Sequence, residues 1–224
     1  MLENPIEHII FDWNGTLIDD LALAVRGVNH VGASLGVAPI DKDTYRRNFG
    51  FPIRDFYTRI GFNFEKNSFE AVMAQYLSLF DSNVRECDLQ PGVKEVISWA
   101  RMARMSVSIL SASHEEILQN TLRHHGLETE FDHLMGLQNT TANGKLAIAA
   151  ELDAKLGHPG KRALMVGDTV HDLDVANAHG WQTVIITRGH QGPEHFSGQD
   201  VFLISDLHAL TECRIAKLED TDIV

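Results

Sequence analysis

Short apolar runs alternate along this chain with longer stretches of helical period. Residues 8–11, 107–110, 163–166, 183–186 and 201–204 read as buried strands, each brief, apolar and bounded by polar or turn-forming residues. Helical periodicity fills residues 93–105, 115–125, 146–156 and 173–179. The last three of these run out at Gly126, Gly157 and Gly180, the residue type that most easily takes the left-handed turn at a helix end. Strands alternating with helices predict an α/β fold with a parallel sheet covered on both faces.

Between about residues 19 and 89 the strand pattern vanishes, and helical patterns take over at 21–35, 42–48, 53–60 and 69–80. The expected organisation is a core of residues 1–18 and 90–224 with an inserted all-helical domain over 19–89. Its junctions, near Asp19-Asp20 and Gln90 to Gly92, are the expected hinges of a lid. Ligands of parallel sheets bind beyond the carboxyl ends of the strands. The first residues past the first four strands are Asp12, Ser111, Gly167-Asp168 and Thr187-Arg188, so polar groups suited to phosphate collect along one edge.

At 224 residues, 44% hydrophobic and 22% charged, the chain has the composition of an ordinary globule with room for a domain and an insertion. A net charge of -12 without any run of Lys or Arg excludes a general nucleic-acid or anionic-membrane surface, and means that a phosphorylated ligand needs local neutralisation. Cys87 and Cys213 lack CxxC spacing, which fits a reducing compartment. Residues 1–11 carry no basic leader and no stretch approaches the roughly 20 apolar residues of a membrane span, so a cytoplasmic location is expected and the Asn139-Thr140-Thr141 sequon is discounted. Monomer and homodimer both remain open.

Two segments stand out chemically. In Phe11-Asp12-Trp13-Asn14-Gly15-Thr16-Leu17, a carboxylate follows a strand and precedes a glycine turn, an arrangement that fits either an attacking nucleophile beside anion-cradling amides or a side-chain-capped turn. In Val166-Gly167-Asp168-Thr169-Val170-His171-Asp172, two carboxylates four residues apart join Asp12 as candidate oxygen ligands for magnesium, and either also suits a helix N-cap. Magnesium would supply the neutralisation that an acidic chain lacks. Ser111, with the amide of Ala112 behind it, and Lys145 at a helix start are candidate phosphate ligands. Gly32-Ala33-Ser34-Leu35-Gly36 matches a serine-hydrolase elbow but sits in helical flanks, and the 12 histidines show no HExxH spacing. In the insertion, Arg46, Arg47, Arg54 and Tyr57 are candidates for gripping the organic part of a substrate, as is the loop 188–192.

Taken in order, Asp12 with Gly15-Thr16, Ser111, Lys145, and Asp168 with Asp172 resemble the motifs of the haloacid-dehalogenase-like hydrolases, in particular the phosphoglycolate-phosphatase-like branch with a helical cap. The resemblance spans nearly the whole chain. It implies a Rossmann-like core and a magnesium-dependent phosphohydrolase acting on a small phosphorylated metabolite, with Asp12 forming an aspartyl-phosphate and Ser111 and Lys145 holding phosphoryl oxygens. It further implies metal ligation by Asp12, the Asn14 backbone carbonyl and Asp168, with Asp172 bound directly or through water. Leu146 stands where relatives often have proline, leaving Lys155 and Lys161 as substitutes for Lys145. Asn14 occupies the position of the family's acid/base aspartate, and an amide cannot shuttle a proton, an assistance worth about 10² to 10⁴ in rate. Asn14→Asp is therefore expected to raise turnover, most for alkyl phosphates, and deamidation at Asn14-Gly15 would create the same carboxylate. A low-turnover phosphate-ester-binding or regulatory protein and a dehalogenase are the rival readings, the latter disfavoured by the Asp168 and Asp172 pair.

Overall fold

Side chains of successive strand residues point to opposite faces of a sheet, and this alternation divides the core in two. Ile9 and Phe11 join one apolar cluster with Val107, Ile109, Leu164 and Val166, whereas Ile10 joins a second with Leu110, Ala163 and Met165. The computed structural model describes residues 5–138 and 144–212; Cys213 and the 139–141 sequon lie outside them.

The chain begins with β1 (His8–Phe11), passes through helices α1 (Leu21–Ser34), α2 (Lys42–Asn48), α3 (Ile53–Arg59) and α4 (Phe69–Asn83), and returns through α5 (Val93–Met102) to β2 (Ser106–His114). There follow α6 (Glu115–His124), β3 (His133–Leu137), α7 (Lys145–Lys155), β4 (Ala163–Gly167), α8 (Val170–His179), β5 (Gln182–Ile186), β6 (Phe202–Ile204) and α9 (His208–Glu212). All strand pairs are parallel, in the order β3-β2-β1-β4-β5-β6. The chain moves outward from β1 to β2 and β3, then crosses to β4 on the other side, so the strand order reverses beside β1. That reversal is where open α/β sheets leave a ligand crevice.

Several elements differ from the pattern reading. β3 was not expected: its five residues include Gly136 and only Met135 and Gly136 are buried, too weak a pattern to read as a strand. Pairing with β2 and the Asp132 carboxylate, which accepts the Val107 amide at 2.8 Å, hold it in place. β2 runs past Leu110 to His114 with a register irregularity, so Ser111 lies within the strand rather than after it. α5 stops at Met102, short of 105, because Arg104 takes a left-handed conformation (φ 58°) without a glycine to announce it. α8 starts at Val170 rather than 173, nucleated by a capping box in which Thr169 and Asp172 bond reciprocally.

The four inserted helices cover the carboxyl edge of the sheet. Their two connections run side by side, with the Asp19 amide donating to Asp88 O at 2.8 Å and the Gln90 amide to Leu17 O at 2.9 Å. A second tie comes from Arg46 on α2, whose guanidinium donates to the backbone oxygens of Gly189 (3.0 Å), Gln191 (3.1 Å) and Thr187 in the loop after β5. Arg46, a candidate for binding substrate, is instead a latch between cap and core. Arg46→Ala is expected to cost about 1 to 3 kcal/mol, the range for losing charge-assisted bonds and leaving acceptors unmatched. Chemical denaturation would show a lower midpoint and hydrogen exchange a faster α2; an unchanged midpoint with unchanged exchange would rule out the latch.

Candidate active site

Three carboxylates converge where the strand order reverses. Asp12 follows β1, Asp168 follows β4, and Asp172 lies in the first turn of α8, with one oxygen of each inside a 4.8 Å cluster. Lys145, the first residue of α7, reaches into it, its Nζ 2.7 Å from Asp12 Oδ1 and 2.5 Å from Asp172 Oδ1. It is 3% exposed. Lys155, one of the possible substitutes, pairs with Glu151 on the surface instead.

Asp12 Oδ1 also accepts the Trp13 amide at 2.8 Å, and Oδ2 has no hydrogen bond among the described residues. Asp172 has both oxygens engaged: Oδ1 by Lys145, Oδ2 by the Asp168 and Thr169 amides and the Thr169 hydroxyl. Asp168 Oδ1 accepts the Thr16 hydroxyl (3.1 Å) and Oδ2 the His190 amide (2.6 Å). Two glycines make room for Asp168. A Cβ at Gly15, which has φ +73°, or at Gly189 would overlap its carboxylate.

Burial acts on every charge here. It pushes Asp12 up to about 8 despite Lys145, aided by the charges of Asp172 and Asp168. It likewise raises Asp168 to about 6, against the pull of His190. For Asp172 burial is outweighed by Lys145 and the Thr169 hydrogen bonds, and its pKa falls. Burial also opposes the Lys145 ammonium, but Asp12 and Asp172 prevail and hold it at about 12.

Two residues that the pattern reading did not assign complete the site. Asp20 is fully buried and occupies the N-cap position of α1 without capping it. Its Oδ2 accepts the Asn14 amide nitrogen at 2.7 Å, and its Oδ1 accepts the Gly15 amide at 2.8 Å and lies 3.1 Å from His190 Nε2. His190, from the 188–192 loop, reaches the Tyr45 hydroxyl of the cap through Nδ1 at 3.1 Å. Burial opposes its charge, but Asp20, with Asp168 and Asp12 adding to it, raises the imidazole to about 9. The sequence offers only the Asp19-Asp20 doublet and the polar loop 188–192 as hints, since these contacts join residues 6 and 170 positions apart.

The remaining candidates divide. Ser111 is fully buried with its hydroxyl turned to accept the Ser113 amide (3.0 Å), while Ala112 and Ser113 line the cavity. Ser113 donates its hydroxyl to Asn14 Oδ1 at 2.5 Å. Tyr57 lines the cavity, but Arg54 is exposed, its guanidinium 5.3 and 5.5 Å from the ring centres of Phe64 and Phe69. Ser34 of the elbow-like motif ends α1 and bonds Val31 O.

Fold and site together define a class: the chain belongs to the haloacid dehalogenase-like hydrolases, whose family model matches residues 9–186. It is 25% identical to the tyrosine-protein kinase PtkA of Mycobacterium tuberculosis over 96% of this chain and 73% of that one, and 26% identical to a phosphoglycolate phosphatase of Synechococcus elongatus over 82% and 85%. A crystal structure described as a predicted phosphatase from Clostridium acetobutylicum shares the fold, with a TM-score of 0.80 at 17% identity over 93% of this chain and 98% of that one. No helix among the described residues is long and apolar enough to cross a membrane.

Asn14 is thus held as an amide. Its nitrogen faces a carboxylate and its oxygen a hydroxyl donor, and the Gly15 amide that deamidation would need as nucleophile is already bonded to Asp20 and Ile18 O. Asn14→Asp alone would set a half-buried carboxylate against the buried Asp20, so the expected gain in turnover would come with a cost in stability. The variant is expected to lose stability, and Asp20→Asn in the same chain to restore part of it. A double-mutant cycle by urea denaturation should read a coupling of about 0.5 to 3 kcal/mol; strict additivity would show that the Asn14–Asp20 contact carries no energy.

Proposed function

We propose that the protein is a magnesium-dependent phosphomonoesterase that works through an aspartyl-phosphate on Asp12, acting on a small phosphorylated metabolite. The observation that carries this is the Asp12 carboxylate itself, with one oxygen pinned by Lys145 and Trp13 and the other open toward the cavity it lines. The names of the relatives, phosphatases and a kinase, both denote phosphoryl transfer.

Among the described residues, Asp12, Asp20, Asp168 and Asp172 are buried together with two cations, Lys145 and His190. Carboxylates outnumber cations there, as a site for a divalent cation requires, and oxygen donors from Asp12 and Asp168 with the Asn14 backbone carbonyl suit magnesium. Asp172, with both oxygens engaged, sits behind them as a charge that orients Lys145. Magnesium, when bound there, supplies charge neutralisation for the phosphoryl oxygens.

The chain's own groups do the rest. Asp12 Oδ2 bonds to phosphorus as the bond to the ester oxygen breaks, and that oxygen leaves with the electron pair. In this reading Lys145, Ser111 and the amide of Ala112 hold phosphoryl oxygens, with Ser113 beside them in the cavity lining. Water then attacks phosphorus and frees the Asp12 carboxylate; one of its protons ends on the leaving group and the other stays on phosphate. The amide of Asn14 moves no proton in either step, and this feature favours the second reading, a phosphate-ester binder with little turnover.

Phosphate release from a panel of phosphate esters is expected to require magnesium, to stop with EDTA and to fall to background in Asp12→Asn. Acid-quenched enzyme should carry a phosphoryl group on the peptide containing Asp12. Magnesium-dependent binding of esters without release would instead support the binding reading.

A further inference from the structure

Granting that phosphatase reading, we infer that the substrate is an aryl phosphomonoester, with phosphate on a phenol-type oxygen and the ring inside the cap. Above Asp12 lies a cavity of about 570 Å³, within the usual range of small-molecule sites. The wall facing the phosphate end comes from the cap and is aromatic: Tyr45, Phe49, Phe56, Tyr57, Tyr76 and Phe80.

No lysine or arginine of the cap lines the cavity, and its imidazoles come from the core, with His190 already bonded to Asp20 and Tyr45. Lys145 is the only lysine or arginine lining the cavity among the described residues, and it is committed to Asp12 and Asp172 at the phosphate end. The cap arginines are spent elsewhere: Arg46 on core carbonyls, Arg54 over two rings, Arg59 on Asn48 O. Asp81 and Glu116 add negative charge to the lining. A small ester with its own carboxylate, such as phosphoglycolate, would bring that charge against a mainly aromatic wall with no lysine or arginine to meet it. An aromatic ring meets matched surfaces instead.

Two independent observations agree. The Tyr57 hydroxyl is buried on this wall without a hydrogen-bond partner among the described residues, a polar handle for a ring substituent. Asn14 cannot protonate a leaving oxygen, and a phenolate needs this least: phenols ionise near pKa 10, alkanols near that of water at about 15.7. In the reaction, the aryl C–O bond stays intact, the P–O bond breaks as Asp12 bonds phosphorus, and the phenolate takes its proton from water. Ester and water become phenol and inorganic phosphate.

Phenyl phosphate, benzyl phosphate and phosphoglycolate separate these ideas under saturating magnesium. The expected order of kcat/KM is phenyl above benzyl by about 10²-fold or more, the general-acid assistance that is missing, and benzyl above phosphoglycolate. Binding gives a readout free of chemistry: benzylphosphonate is expected to bind at least about tenfold more tightly than phosphonoacetate. Leu77→Arg, at a half-exposed position on the same wall, should narrow or reverse that gap, and Tyr57→Phe should weaken only ligands bearing a ring hydroxyl. Phosphoglycolate hydrolysed as well as phenyl phosphate, or phosphonoacetate bound as tightly as benzylphosphonate, would overturn the inference while leaving the phosphatase reading intact. Release from none of the esters would overturn both.

Discussion

The contact on which the rest of this structure turns is the Lys145 ammonium lodged between Asp12 and Asp172, at 2.7 and 2.5 Å. It ties the end of β1 to the first turns of α7 and α8. Buried ion pairs of this kind are a poor source of stability, because an apolar replacement of equal volume is often as good or better. Their retention therefore points to what the charges hold rather than to the fold. The neighbouring sequence is arranged around that demand: Thr169 holds the Asp172 oxygen that Lys145 leaves free, and glycines at 15 and 189 make room for the Asp168 carboxylate.

Buried parallel strands must be apolar on both faces, so their ends are easy to find, and the polar residue past each end is already a candidate for chemistry. Asp12 and Asp168 were legible for this reason, and Lys145 as a cation at a helix start. The nature of the ligand wall was not. Arg46 and Arg54 look alike as cations on helices, yet one reaches backbone oxygens across the cap–core boundary and the other covers two phenylalanines. Ser111 was read as a phosphate ligand because the strand pattern stops before it; in the irregular part of β2 its hydroxyl accepts the Ser113 amide, and Ala112 and Ser113 line the cavity. Side-chain direction at an irregular backbone is set by tertiary contacts, which no periodicity records.

Asn14 is informative only together with Asp20. A lone asparagine at a position where an acid is expected suggests a loss. Here a carboxylate sits 2.7 Å from its amide nitrogen, withdrawn from the capping duty that its place before α1 would assign it. The site has not become less acidic. A carboxylate stands next to Asn14 instead, at Asp20, where it bonds Asn14, Gly15 and His190 at once.

That carboxylate joins the cap to the chemistry. From Asp20 a chain of polar contacts runs through His190 to the Tyr45 hydroxyl on α2, and the next residue of α2, Arg46, grips the loop that carries His190. Moving α2 away from the core would break both contacts and strand a charged imidazole beside two buried carboxylates. Burial of Tyr45 at 2% exposure makes that separation costly in apolar area as well. The closed cap and the buried charge of the site are thus one coupled state, and the aromatic wall above Asp12 belongs to that state: its shape is fixed by the same α2 that completes the polar network.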